Sequence, residues 1–172
     1  MPTATPISRV NDFVVRFANV NGSGSASANE MFARAVMRIL HLTSHLDAGG
    51  ITTYVVRLAE ACAARGHQVT VASGGGLFSD RLARAGIPQW PVPLRTSAEF
   101  GLGVARAVRQ VRRRLAGQPV DLIHAHTRVA QVAAHALGTR TGIPYVTTWH
   151  GFYRRRLGRR LWPCTGRLTI AI

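Results

Sequence analysis

Residues 37–66, MRILHLTSHLDAGGITTYVVRLAEACAARG, decide how this chain folds. Residues 38–43 are a short apolar run, the pattern of a strand covered by helices on both faces of its sheet. A loop follows and closes on Gly49-Gly50, after which residues 51–65 take up helical periodicity. Tyr54, Leu58, Ala61 and Cys62 recur at three- and four-residue spacing and predict one apolar stripe. Gly66 stands where a left-handed cap ends a helix, and residues 67–73 (HQVTVAS) supply a second strand. Strand, helix, strand in that order implies a parallel pair. The paired glycines leave the first N–H groups of the helix open to an anion or a sugar hydroxyl.

Outward from this unit the alternation continues. Three glycines at 74–76 lead into a short helix over residues 79–85, with Ser79 as its N-cap. Residues 87–94 (IPQWPVPL) carry three prolines, so a strand there is short or at a sheet edge. Residues 98–116 read as a helix with Leu102, Ala105, Val108 and Val111 inward and Arg106, Arg109, Arg112 and Arg113 outward. Strands at 120–126 (VDLIHAH) and 145–149 (YVTTW) flank an alanine-rich, closely packing helix over 128–137. A short basic helix at 153–162 and a last strand at 167–172 complete the pattern. Five or six strands alternating with helices predict an α/β fold: a doubly wound, mainly parallel Rossmann-like sheet with helices on both faces. Binding crevices in such sheets lie beyond the carboxyl ends of the strands, which is where loops 44–50 and 150–151 fall. Residues 1–36 differ, with Pro2, Pro6 and the linker-like run NGSGSASAN at 21–29. They read as a disordered extension, or as translation begun upstream of Met31 or Met37, leaving 37–172 as the folded domain.

With 172 residues, 47% of them hydrophobic, the chain suffices for one domain with a real core. All 22 of its basic residues are arginine and the formal net charge is +15, which attracts polyanions: phosphorylated substrates, an anionic membrane or nucleic acid. No nucleic-acid motif accompanies the charge, so nucleic acid is not expected as a partner. Cys62 and Cys164 lie far apart, with Cys62 on the apolar helix stripe, which suits a reduced, cytoplasmic setting. Residues 10–20 are interrupted by Asn11, Asp12, Arg16 and Asn19, too polar for a signal peptide. No run reaches the length of a membrane-spanning helix.

The motifs exclude several chemistries. HLDAGGIT lacks the third glycine of a dinucleotide fingerprint, and Ser73-Gly74 stands where a ribose-binding acid belongs. A phosphate loop of the lysine-containing type needs a lysine, and there is none. His124 and His126 point to one face of their strand, and His150 ends another, an arrangement that raises a three-histidine metal site. No carboxylate or cysteine adjoins them, so no metal is expected. Asp121 starts a strand at the opposite edge, leaving Asp47 as the acid of a crevice loop, and no nucleophile elbow is present. Arg154, Arg155, Arg156, Arg159 and Arg160 interleave with Tyr153, Leu157, Leu161 and Trp162 at helical spacing. That is a basic amphipathic segment, fit for an anionic lipid surface or for an ordinary solvated face.

Residues 37–73, then DLIHAH at 121–126, then TTWHG at 147–151, resemble in order and spacing the N-terminal domain of family-4 retaining glycosyltransferases of the GT-B fold. The resemblance covers residue 37 to the end. It implies transfer of a sugar from a nucleotide-sugar co-substrate to a glycan or lipid acceptor, with retained configuration and no cofactor. It also implies a cell-envelope role on the inner face of the cytoplasmic membrane. By that resemblance Gly49 and Gly50 line the donor-phosphate and acceptor cleft, together with His126 and Gly151, and His150 reaches the donor sugar as the catalytic group. In such enzymes a second, C-terminal domain holds most of the nucleotide-sugar. The resemblance places residue 172 where the linker to it begins, and Arg167 where relatives commonly carry an acid. The expected protein is therefore an acceptor-side domain, inactive alone and in need of that C-terminal domain or a partner chain. The competing expectation is a non-catalytic Rossmann-like module that binds a phosphorylated or anionic partner.

Overall fold

The computed structural model describes residues 36–96, 98–99, 101–150 and 168–171. The chain divides between Val36 and Met37, and the fold below is that of Met37–Ile172. Strands β1 (Arg38–Leu42), β2 (Gln68–Ser73), β3 (Gln89–Pro91), β4 (Leu122–Ala125), β5 (Tyr145–Trp149) and β6 (Leu168–Ala171) form one sheet in the order 3-2-1-4-5-6. Every pairing is parallel. This is the doubly wound order, with its switch point between β1 and β4, where the chain turns from building leftward to building rightward. Helices α1 (Gly50–Ala64), α2 (Ser79–Arg84), α3 (Leu102–Gly117) and α4 (Arg128–Thr141) make the crossovers.

Alternation along the buried strands sorts the core into two layers. Leu40, Leu42, Ala72, Ile123 and Ala125 face Val104, Ala107, Val111 and Leu115 of α3 and the Val129–Leu137 side of α4. On the other face Val69 and Val71 meet Val56 and Ala59 of α1 and Leu82 of α2. The α4 helix packs closely, as its alanines predict: a Cβ on Gly138 would stand 2.7 Å from the Tyr145 ring. Thr127 caps its start by accepting from the Ala130 N–H, and Gly142, at φ 73°, ends it. The prolines hold β3 to three residues at the sheet edge.

Several local expectations are corrected. The buried face of α1 is Thr52, Val55, Val56 and Ala59, whereas Tyr54, Leu58, Ala61 and Cys62 are half-buried on its flank. Helix α3 starts at Leu102 rather than 98, because Gly101 is still extended (φ 171°). It buries Val104, Ala107, Val111 and Leu115, while Leu102 and Ala105 face outward. Its arginines lie outward as expected. Ser79 is the first residue of α2 and Phe78 occupies the cap position. The basic segment at 153–162 lies outside the described residues. No helix of the described residues is long and apolar enough to cross a membrane.

Candidate functional site

The carboxyl ends of β1 and β4 carry an unusual floor. Parallel pairing sets His41 opposite His124, and the i, i+2 alternation of β4 brings His126 to the same face. The rings cluster: centroids lie 5.3 Å apart for His41–His124, 5.2 Å for His41–His126 and 4.1 Å for His124–His126. His41 Nδ1 meets His126 Nε2 at 3.0 Å, and His124 Nε2 meets the Thr148 hydroxyl at 2.7 Å. His41 Nε2 and His126 Nδ1 are buried with no hydrogen-bond partner among the described residues. Whichever imidazole donates across the 3.0 Å contact, one N–H and one lone pair of the pair stay unmatched.

Burial makes these groups neutral. It pushes the His41 imidazole down to about 3, helped by repulsion from His124. The same penalty lowers His124 to about 4, with His150 adding repulsion. His126 lies well below the usual imidazole range, first through burial and then through its three histidine neighbours. His150 is lowered by burial as well.

Above the floor sits Tyr54, near the start of α1. Its ring meets His150 edge-on, with centroids 4.9 Å apart at 74°, and His126 at 5.9 Å and 61°. The His126 and His150 rings are 5.9 Å apart. Thus one turn of α1 ties the glycine loop to two of the expected site residues. Gly49 and Gly50 are exposed, and neither has an atom within 4 Å of where a Cβ would stand. Gly49 is extended (φ 164°), a conformation open to any residue, so the fold does not demand glycine there. What the pair provides is bare helix N-terminus: the cap has no side-chain hydrogen bond and the first turn holds no acid. An open pocket of about 520 Å³, lined by Gly50, Thr53, Tyr54, Arg57 and Leu58, adjoins this end of α1.

The neighbouring wall is rigid. The β1–α1 and β2–α2 loops interlock through Gly74 N–H to Ser44 O, Leu46 N–H to Gly75 O, and Phe78 N–H to Leu46 O, at 3.0, 2.8 and 2.9 Å. A Cβ on Gly76 would stand 2.4 Å from the Leu46 carbonyl carbon. Asp47, the one crevice acid the sequence offers, is paired with Arg95 at 2.8 Å. Asp121 is occupied at the far edge of the sheet, accepting from the Arg38 backbone N–H at 2.8 Å and from its side chain. Gly151, Arg154, Arg155, Arg156, Arg159 and Arg160 lie outside the described residues. Sequence reasoning found His124, His126 and His150 but passed over His41, Arg95 and the cleft position of Tyr54. For His41 the available signal was its place in β1, within a run otherwise apolar.

The model of the family described as Glycosyltransferase Family 4 matches residues 48–171. The chain belongs to glycosyltransferase family 4. No curated protein matches the sequence. Among solved structures, a glycosyltransferase from Rickettsia africae is similar with a TM-score of 0.59 at 16% identity, over 74% of this chain and 33% of that one. MurG of Acinetobacter baumannii gives 0.60 at 13% identity, over 78% and 41%. Anabaena HepE in complex with UDP-glucose gives 0.52 at 23% identity, over 67% and 29%. At these identities the likeness concerns the fold alone: the family-4 chain has the Rossmann-like architecture found in GT-B glycosyltransferases. It spans about a third of the length of the solved proteins it matches.

Proposed function

We propose that the chain is the acceptor-side, N-terminal half of a retaining glycosyltransferase that moves a sugar from a nucleotide-sugar to a glycan or lipid acceptor of the cell envelope. The observation that carries this reading is the Tyr54–His150 contact, which brings the bare N-terminus of α1 and a neutral imidazole to one cleft edge. Each group has a use in glycosyl transfer. Leaving-group departure builds negative charge on the diphosphate, and preorganised N–H dipoles at a helix start stabilise that charge without reorganising. A neutral His150, whose buried Nε2 has no partner among the described residues, is suited to hydrogen-bonding a donor-sugar hydroxyl. His126 acts behind it as cleft wall, and Gly49 and Gly50 leave room for the phosphates; the family resemblance assigns Gly151, outside the described residues, to the same cleft. HepE, by its complex with UDP-glucose, binds a donor of this class.

On this reading no dissociable cofactor takes part, and a C-terminal donor-binding domain or partner chain supplies the other wall. The protein works in the cytoplasm, peripherally on the inner membrane face. Its contacts there are the arginines of α3 and Arg154, Arg155, Arg156, Arg159 and Arg160. The test is a transfer assay with UDP- and GDP-sugars. The chain alone gives no product; adding a donor-binding half, fused or in trans, restores turnover. Turnover by the chain alone would refute the need for a separate donor-binding half.

A second reading has its own observation. Arg106, Arg109, Arg112 and Arg113 are exposed on α3, a helix without an acidic residue, as a module binding a phosphorylated partner would require. Tight, salt-sensitive capture of such a partner, with no activity on reconstitution, favours that reading.

A further inference from the structure

Beyond the transfer chemistry, and independent of it, the floor of the cleft has the composition of a metal site. We propose that His41, His124 and His126 bind one divalent transition-metal ion of the zinc class. One ligand nitrogen from each of the three lies within 4.8 Å of the others, and all three residues are buried. A tetrahedral ion with metal–nitrogen bonds near 2.0–2.1 Å needs nitrogens about 3.4 Å apart. The His41–His126 pair already stands at 3.0 Å, so closing the set takes a shift on the order of 1 Å in one imidazole.

Among the described residues, His41 Nε2 and His126 Nδ1 are buried without partners, and so is the Thr43 hydroxyl two residues along the same strand face. Buried imidazole nitrogens left unmatched are costly, and an ion taken by the facing His41 Nδ1 and His126 Nε2 would replace their one shared hydrogen bond with two ligand bonds. His124 has the outer contact expected of a ligating histidine, its Nε2 on Thr148 Oγ1 at 2.7 Å, which leaves Nδ1 for an ion. An all-imidazole set favours zinc, copper or nickel over magnesium or calcium. Three neutral ligands do not cancel the ion's charge, so hydroxide or another small anion completes the shell, as in other three-histidine sites. The sequence pattern raised His150 as the third member and set a metal aside for want of an adjoining carboxylate or cysteine; His41, invisible in that pattern, completes an all-imidazole set.

The test uses the full chain after chelator treatment, titrated with Zn²⁺ against a chromophoric competitor. One equivalent bound with submicromolar affinity is expected, and failure to compete overturns the site. His41→Leu, which keeps an apolar side chain in the core, should weaken binding by about 100-fold or more, while His67→Ala, half-buried and outside the cluster, should not. Unchanged affinity in a folded His41→Leu variant overturns the assignment. Should that variant fail to fold, imidazole ¹⁵N spectra of the unaltered chain decide. Zn²⁺ must move the His41, His124 and His126 signals; shifts confined to His45 and His67 reject the proposal.

Discussion

His41 Nδ1 and His126 Nε2 meet at 3.0 Å, bringing together two residues 85 positions apart in sequence at the ends of adjacent strands. This contact belongs to the fold and to the cleft at once. It lies between the two central strands of the sheet, and His126 passes it on to Tyr54 and His150 at the opening. A core residue in β1 is thereby one ring removed from the residues proposed to meet substrate.

Acid should loosen the domain through this cluster. The imidazoles of His41, His124 and His126 sit below their unfolded value of about 6.5, so the unfolded chain binds more protons as pH falls through that value. Their neutral-state stability is therefore complete above about pH 6.5 and lost progressively toward pH 4. Between pH 7 and 5 each imidazole held neutral costs about 2 kcal/mol of stability. Denaturant titrations at the two pH values should show the drop, and His41→Leu should shrink it; a pH-independent midpoint would contradict the buried neutral cluster.

Glycines 76 and 49 separate structural from functional need. Gly76 has φ 148° and no room for a Cβ against the Leu46–Asp47 backbone. Gly76→Ala should therefore cost at least about 2 kcal/mol. Gly49→Ser places a preferred capping residue at an extended, uncrowded position, so stability should hold or rise by a few tenths of a kcal/mol. In the reconstituted enzyme the same change fills the phosphate approach and should raise the KM for nucleotide-sugar. A Gly49→Ser enzyme with unaltered kinetics removes this loop from the site.

Tyr54 should matter by its ring. Edge-to-face pairs are worth about 0.5–1.5 kcal/mol beyond buried area, and Tyr54 makes two, with His126 and His150. Tyr54→Ala should lower stability by about 1–3 kcal/mol and broaden the His150 imidazole signals, whereas Tyr54→Phe keeps both contacts. Equal behaviour of the two variants would show that the ring does not hold His150.

The fold was legible because its signals are local: apolar runs, glycine and proline punctuation, and the alternation of strand with helix. The three-proline run shortened β3 as a missing N–H must, and Gly66 and Gly142 ended their helices with positive φ. Helix phase was harder to read. In α1 the buried set includes the polar Thr52 and three small or β-branched residues, while the larger Tyr54 and Leu58 lie on the flank toward the pocket. Side-chain size misled because a cleft-lining face is apolar too. His41 was illegible for another reason: its partner is set by the register between β1 and β4, and no residue of β1 encodes which strand will lie beside it.

The arginine face of α3 gives a prediction about where the protein works. Arg106, Arg109, Arg112 and Arg113 are exposed, and the exposed Leu102 stands at the start of the same helix. Arg114, by contrast, lies over the Trp90 ring at 5.6 Å and serves the fold. Each arginine near an anionic bilayer contributes about 1 kcal/mol, falling off within a Debye length of about 10 Å at 0.1 M salt. Flotation with vesicles of phosphatidylglycerol and phosphatidylethanolamine should therefore recover the chain at low salt and lose it at high salt. Replacing Arg106, Arg109, Arg112 and Arg113 by glutamine should cut binding by a hundredfold or more, taking about 1 kcal/mol for each. Glutamine keeps helix propensity, so the fold should be unaffected. Retention of binding in that variant assigns the contact to the arginines at 154–160, and no flotation at low salt rejects the membrane role.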